Sequence, residues 1–373
     1  MSKKILLVDD SALMRRVFCD IINSDKRFEV AAQASNGVEA LEILGKNTFD
    51  AVILDINMPK MNGIQLLEEL HNRRITPKIL IVSTYAVKGA QITLDALELG
   101  ALDFITKPEN AMTFHDNTFK NNLIRSLEAV INSHMPPFEP LSKSTKQEET
   151  QAGVKKAADN GAPERTEPVK MVIAGARNKE IVAIASSTGG PKALHSVILK
   201  LPADLNAPVV VVQHMPKGFT ASLAERLNNM GGIRVKEAED GEELRNGVVY
   251  FARGGSHMNL RKSGTSVVVQ YSDEPHREGV KPCANYMYES LADCPYDRVV
   301  CVVLTGMGAD GTEGIQNLKA RKSVFVISQD EDSCVVYGMP KSIAQAGLSD
   351  KVVTLEEIAQ EIINQVGCIP KQR

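Results

Sequence analysis

VAIASSTGGP, residues Val182–Pro191, joins a short apolar run to two serines, a threonine, two glycines and a proline. A short, branched, uninterrupted apolar run bounded by turn residues has the signature of a buried parallel strand. Its small polar end is either a plain loop or the strand edge of a site that presents a nucleophile. The G-x-S-x-G pattern is missing from it, so the choice rests on the rest of the chain. PVVVVQH (Pro208–His214), RVVCVVLTG (Arg298–Gly306) and SVFVISQ (Ser323–Gln329) repeat the strand signature, with helical segments between several of them. Alternating strands and helices predict a doubly wound, mostly parallel α/β sheet. Between His214 and Arg298, GVVYFARGG and SVVVQYSD predict a hairpin-rich insertion.

The N-terminal part carries the same alternation. KILLV (Lys4–Val8), AVILD (Ala51–Asp55) and KILIVS (Lys78–Ser83) are further buried parallel strands. Leu13, Val17 and Ile21 recur at four-residue spacing, as do Phe119, Leu123 and Leu127, and predict two apolar helix faces. From Ser142 to Pro168 the only large aliphatic residue is Val154. Such a segment cannot offset its ordering entropy by burial. The expected organisation is therefore a domain over residues 1–131, a flexible linker over 132–178 and a second domain over 179–373.

With 373 residues, 43% of them apolar, the chain supports two ordinary cores. A net charge of -3 provides no general drive toward nucleic acid. Six scattered cysteines without a C-x-x-C pair suit reduced thiols rather than a disulfide framework or zinc site. No apolar run approaches membrane-spanning length, and MSKKILLVDD ends its apolar stretch in two acids, unlike a signal peptide. The expected location is the cytoplasm.

In open parallel sheets, ligands bind beyond the carboxyl ends of the strands. Asp9 and Asp10 follow the first strand, Asp55 and Ser83 end two others, and Lys107 follows DFIT. Converging carboxylates are costly unless a cation joins them. Hard oxygen ligands suit magnesium, which keeps waters and leaves room for a phosphoryl group. Asp55 is placed to act as an aspartyl nucleophile toward phosphorus.

LLVDDS (Leu6–Ser11), LDINMPKMNG (Leu54–Gly63), VSTYA (Val82–Ala86) and DFITKP (Asp103–Pro108) resemble the motifs of response-regulator receiver domains. The resemblance covers roughly residues 3–125 and implies a flavodoxin-like fold with a five-stranded parallel sheet. It also implies phosphorylation of Asp55 by a chemotaxis histidine kinase, with Mg2+ held by Asp9, Asp10 and Asp55. Ser83, Phe104 and Lys107 match the family's switch residues.

In the second domain a serine nucleophile needs a base, and the base an orienting group. His195, His214, His257 and His276 are the candidate bases. His214 directly ends VVVVQ, at the same sheet edge as Ser186 and Ser187, and Asp310 in LTGMGADG follows a third strand. Spacing does not choose between Ser186 and Ser187. His257 and Arg253 lie in or beside a Gly-rich turn that either lines the cleft or is purely structural.

SSTGGP (Ser186–Pro191), QHMPKGFTASLAERLN (Gln213–Asn228), VKEAEDGE (Val235–Glu242), LTGMGADG (Leu304–Gly311) and SCVVYGMP (Ser333–Pro340) resemble the catalytic domain of chemotaxis protein-glutamate methylesterases, the CheB family. The order of receiver, linker and catalytic domain matches as well. The resemblance implies Ser187 as nucleophile, His214 as base and then acid, and Asp310 as orienter. Thr188 and the backbone of Met307 match the oxyanion side. The implied reaction is hydrolysis of glutamyl methyl esters on methyl-accepting chemoreceptors, with glutamine deamidation, and it requires no cofactor. The implied association with receptor arrays is peripheral, without membrane insertion. Four residues depart from the family: Ser186 stands where alanine is commoner, Arg253 for proline, Cys283 for serine and Asn285 for aspartate. These departures are expected to bear on substrate choice rather than on the chemistry. The alternatives are a phosphorylation-controlled adaptor that has lost hydrolysis and a receiver-linked transcription factor. The latter needs a helix-turn-helix or basic face that residues 179–367 do not offer.

Overall fold

Branched apolar residues without interruption form the strands of two parallel sheets. A computed structural model of the chain describes residues 2–83, 87–107, 117–134 and 179–369. The first sheet draws on β1 (Lys3–Val8), β2 (Phe28–Ala34), β3 (Ala51–Asp55), β4 (Ile79–Ser83) and β5 (Asp103–Thr106). Helices α1 (Ala12–Asn23), α2 (Gly37–Leu44), α3 (Gly63–Asn72), α4 (Val87–Glu98) and α5 (Asn117–Ile131) alternate with them. The strand order is β2-β1-β3-β4-β5, all parallel, as in a flavodoxin-like fold. All residues of β3 and β4 are buried, which explains their unbroken apolar character.

The second sheet is larger. β6 (Glu180–Ser186), α6 (Gly190–Ile198), β7 (Val209–Gln213), α7 (Phe219–Met230), β8 (Arg234–Glu237) and β9 (Val248–Phe251) build one half. The hairpin β10 (His257–Ser263) and β11 (Ser266–Ser272) and the helix α8 (Ala284–Ser290) follow. β12 (Arg298–Val303), α9 (Thr312–Lys319), β13 (Ser323–Gln329), α10 (Met339–Gln345), β14 (Lys351–Val353) and α11 (Leu355–Val366) build the other half. The order is β14-β13-β12-β6-β7-β9-β8, and every pairing is parallel. The chain winds outward in one direction from β6 through β7 and in the other from β12. The switch point therefore lies between β6 and β12, where α/β sheets open a crevice.

Two expectations need correction. GVVYF is not part of a hairpin: β9 lies in the main sheet between β7 and β8, and among the strands of the described residues β10 and β11 alone pair antiparallel. The buried face of α1 is Met14, Phe18, Ile21 and Ile22, whereas Leu13 is 64% exposed. Four-residue spacing marks a stripe without showing which of two adjacent stripes meets the sheet. The linker expected over 132–178 lies outside the described residues from 135 onward. Cys283, Cys294, Cys301 and Cys334 are buried, and Cys19 and Cys368 are half-buried.

The two sheets pack against each other through their helices and loops. α4 lies against α6 and α7. Phe104 of β5 stacks on Phe219 at the start of α7, with ring centroids 4.5 Å apart. Arg226 of α7 pairs with Asp95 at 2.5 Å and with Glu98, both on α4. The His134 amide donates to the Val335 carbonyl at 2.9 Å.

At Gly63 the first turn of α3 is pressed onto the end of β3. An added Cβ would lie 2.6 Å from the Asp55 carbonyl oxygen and 2.8 Å from Ile56 Cα. Neither backbone atom can move without shifting Asp55. Gly63→Ala is expected to lower stability by about 1–3 kcal/mol, read as a lower urea midpoint with the slope unchanged.

Candidate active site

The first cluster sits at the carboxyl edge of the first sheet. Asp9 is buried after β1, Asp55 is buried at the end of β3, and Asp10 is exposed beside them. Oxygens of these three carboxylates lie within 4.8 Å of one another. Lys107 Nζ is 2.8 Å from both Asp9 Oδ2 and Asp55 Oδ2. One ammonium therefore serves two carboxylates. Burial raises the Asp55 carboxyl above its ordinary range, Asp9 adds to that, and Lys107 only partly opposes it. Burial lowers the Lys107 ammonium, but Asp55 and Asp9 outweigh it and leave the group raised. Asp55 Oδ1 is buried without a hydrogen-bond partner among the described residues. An oxygen-rich set with one orphaned carboxylate oxygen fits a hard divalent cation. Ser83 is buried, and its Oγ accepts a hydrogen bond from Thr93 Oγ1 at 2.8 Å.

The second cluster sits at the switch point. β6 and β7 are adjacent and end at Ser186 and Gln213, so Ser187 and His214 follow at neighbouring strand ends. Asp310 lies in the loop between β12 and α9. Backbone bonds pin this edge: the Ser187 amide donates to Thr305 O at 3.0 Å, and the His214 amide to Ser186 O at 3.1 Å. His214 Nε2 is 2.7 Å from Asp310 Oδ2, with both side chains nearly sealed from solvent.

Asp310 receives three more donors. Ala284 N reaches Oδ2 at 2.6 Å, while Asn285 N at 2.9 Å and Cys283 Sγ at 3.0 Å reach Oδ1. Burial pushes this carboxyl upward, but His214, the Cys283 thiol and the Ala284 amide outweigh it and hold the group at about 2. An ionised carboxylate only accepts, so His214 Nε2 carries a proton, and in the neutral imidazole Nδ1 presents the lone pair. Nδ1 is buried and has no hydrogen-bond partner among the described residues, so no such bond joins it to Ser187. Gly306 lies against Ser187: an added Cβ would sit 2.7 Å from Ser187 Cβ. The backbone entering Met307 thus runs beside Ser187. Thr188 Oγ1 donates to Asp103 Oδ2 of the first domain at 2.6 Å.

Family comparison agrees with this architecture. Residues 182–362 match the family CheB methylesterase, and residues 5–118 match the response regulator receiver domain. A protein-glutamate methylesterase/protein-glutamine glutaminase of Halalkalibacterium halodurans is 42% identical over 97% of this chain and 98% of its own. The chain belongs to the CheB methylesterase family. The Bacillus subtilis relative with the same description is 41% identical over 99% of each chain. The crystal structure of the Thermotoga maritima CheB methylesterase catalytic domain is 41% identical, with a TM-score of 0.49, over 50% of this chain and 99% of that one.

Against this CheB framework the departures acquire physical roles. Ser186 is fully buried, and its hydroxyl donates to Gln213 Oε1 at 2.6 Å. Gln213 Nε2 in turn donates to the carbonyls of Ser187 at 2.9 Å and His214 at 3.3 Å. Ser186 and Gln213 thus tie the two strand ends together. Gln213 was a motif residue without an assigned role, and its partner 27 positions away has no local signal. Cys283 and Asn285 are both fully buried, against Asp310. Asn285 Oδ1 accepts from the amides of Gly311 at 3.0 Å and Gly314 at 2.7 Å, gripping the loop that holds Asp310.

Among the other histidines, His257 is fully buried. Its Nδ1 accepts from the Cys283 amide at 3.2 Å, which leaves Nε2 to donate to Pro275 O at 3.1 Å. Arg253 lies over the Tyr271 ring and 3.6 Å from Glu237. His195 lies on α6 and His276 is exposed. Of the four candidate bases, only His214 pairs with Asp310.

The raised Asp55 carboxyl carries a stability consequence. A carboxyl raised on folding favours the native state below its unfolded pKa of about 3.9. That contribution is lost as pH rises through the higher native value. Without divalent cations, Asp55→Asn is therefore expected to unfold at higher urea than wild type at pH 7. The difference should shrink toward pH 4.

Proposed function

We propose that the chain hydrolyses glutamyl methyl esters on chemoreceptors, and deamidates receptor glutamines, through Ser187, His214 and Asp310. The 2.7 Å contact between His214 Nε2 and Asp310, at the strand ends beside Ser187, carries the reading. Ser187 Oγ attacks the ester carbonyl while His214 Nδ1 takes its proton. Asp310 stabilises the resulting imidazolium without becoming protonated, consistent with its depressed pKa. The Thr188 hydroxyl and the backbone at Met307 meet the charge that develops on the carbonyl oxygen. His214 returns the proton to departing methanol, then activates water to release the glutamate. With a glutamine substrate the same steps release ammonia. The intact His214–Asp310 pair argues against an adaptor that has lost hydrolysis.

The first domain supplies control in this reading. Asp55 accepts a phosphoryl group from a histidine kinase, and Asp9, Asp10 and Asp55 would hold Mg2+, which neutralises phosphoryl charge when bound. Ser83 and Lys107 bind the phosphoryl oxygens. Phe104 already stacks on Phe219 of the catalytic domain. An inward turn of its ring removes that stack and loosens the cover over the Ser187 edge. Among the described residues no helix is long and apolar enough to cross a membrane, which fits peripheral contact with receptor arrays and cytoplasmic residence.

Ser187→Ala is expected to abolish methanol release from methylated receptor, and Asp310→Asn to slow it by up to about 10⁴-fold with the fold intact. Full activity in the Ser187 variant would sink the assignment. A small-molecule phosphoryl donor with Mg2+ should accelerate methanol release by wild type. The same treatment should leave Asp55→Asn at its basal rate.

A further inference from the structure

The bond from Thr188 to Asp103 crosses the domain interface and ends on the residue next to the proposed nucleophile. Asp103 is half-buried, and its Oδ1 accepts from its neighbour's amide, Phe104 N, at 2.8 Å. Its Oδ2 accepts from Thr188 Oγ1 at 2.6 Å, the geometry of a charge-assisted hydrogen bond. The surrounding contacts hold the carboxyl in place. Phe104 is clamped on Phe219, Arg226 grips Asp95 and Glu98, and Arg125 Nη1 reaches Glu278 O at 3.4 Å. Desolvation raises the Asp103 carboxyl, and the Thr188 bond and the charges of Arg125 and His214 only partly oppose the rise.

An aspartate side chain is a glutamate side chain shortened by one methylene. The carboxylate that Thr188 binds here has the chemistry of the product that ester hydrolysis leaves at the same place. We propose that Asp103 is a built-in product mimic: with the receiver docked, its carboxylate fills the subsite at Thr188 that otherwise receives the glutamyl carboxyl group. The proposal rests on the reading of the Ser187–Thr188 edge as the ester site. It goes beyond a receiver that merely covers an entrance. It makes receiver docking and binding of a glutamyl carboxylate mutually exclusive through one hydroxyl, and such coupling is reciprocal. Free product carboxylate must then loosen the receiver, just as the docked receiver excludes product.

The test uses the full-length, unphosphorylated protein. Asp103→Ala should raise methanol release from methylated receptor by about tenfold, the scale of losing one charged hydrogen bond. N-acetylglutamate amide, added above the roughly millimolar effective concentration of a tethered domain, should shift wild-type small-angle scattering toward a more extended form. N-acetylalanine amide, which lacks the side-chain carboxylate, should not, and Asp103→Ala should not respond to either. Wild-type scattering indifferent to the carboxylate would reduce Asp103 to a simple clasp and overturn the proposal, even if Asp103→Ala were activated. Unchanged turnover in Asp103→Ala, with Ser187→Ala inactive, would overturn it alone. Turnover retained by Ser187→Ala would overturn the ester-site reading beneath it.

Discussion

A negative charge must be kept in a nearly dry place, and the catalytic half of the molecule is arranged around that requirement. Asp310 is 2% exposed, yet its carboxyl stays ionised because His214, Cys283 and the amides of Ala284 and Asn285 surround it with donors. An unpaired carboxylate at that depth would take up a proton. The first turn of α8, the loop before α9 and the end of β7 must therefore meet at one point. Asn285 fastens α8 to the Gly311–Gly314 segment, and His257 fixes the amide of Cys283 from behind. The imidazole is oriented as a result of this convergence.

The first sheet solves the related problem differently. Asp9 and Asp55 share a single ammonium, so their charges are incompletely compensated. A carboxylate held slightly against its preference has something to gain from a nearby cation. One domain thus stabilises its acid permanently while the other leaves its acid poised, and the same parallel-strand edge serves both.

The strands were legible in the sequence because buried parallel strands are continuous apolar runs with branched side chains. Strand ends placed Asp9, Asp55, Ser83, His214 and Asp310 on their edges for the same reason. The choice between Ser186 and Ser187 was not legible from spacing. Successive strand residues face opposite ways, and only the fold shows that Ser186 turns inward to Gln213. β9 was misassigned because a short apolar strand does not reveal its partner. The donors on Asp310 from Cys283 and Asn285 were hidden for want of local pattern, since they act 27 and 25 positions away. The contact of Thr188 with Asp103 spans 85 positions and depends on how two independently patterned domains dock.

The distribution of cysteines has a practical side. The four buried thiols all belong to the catalytic half, whereas Cys19 on α1 and Cys368 after α11 are only half-buried. Each half of the molecule therefore carries one half-buried cysteine, Cys19 before residue 135 and Cys368 after residue 178. A label carried by both of these cysteines would place one reporter on each half of the molecule, so the distance between labels would read the spacing of the halves.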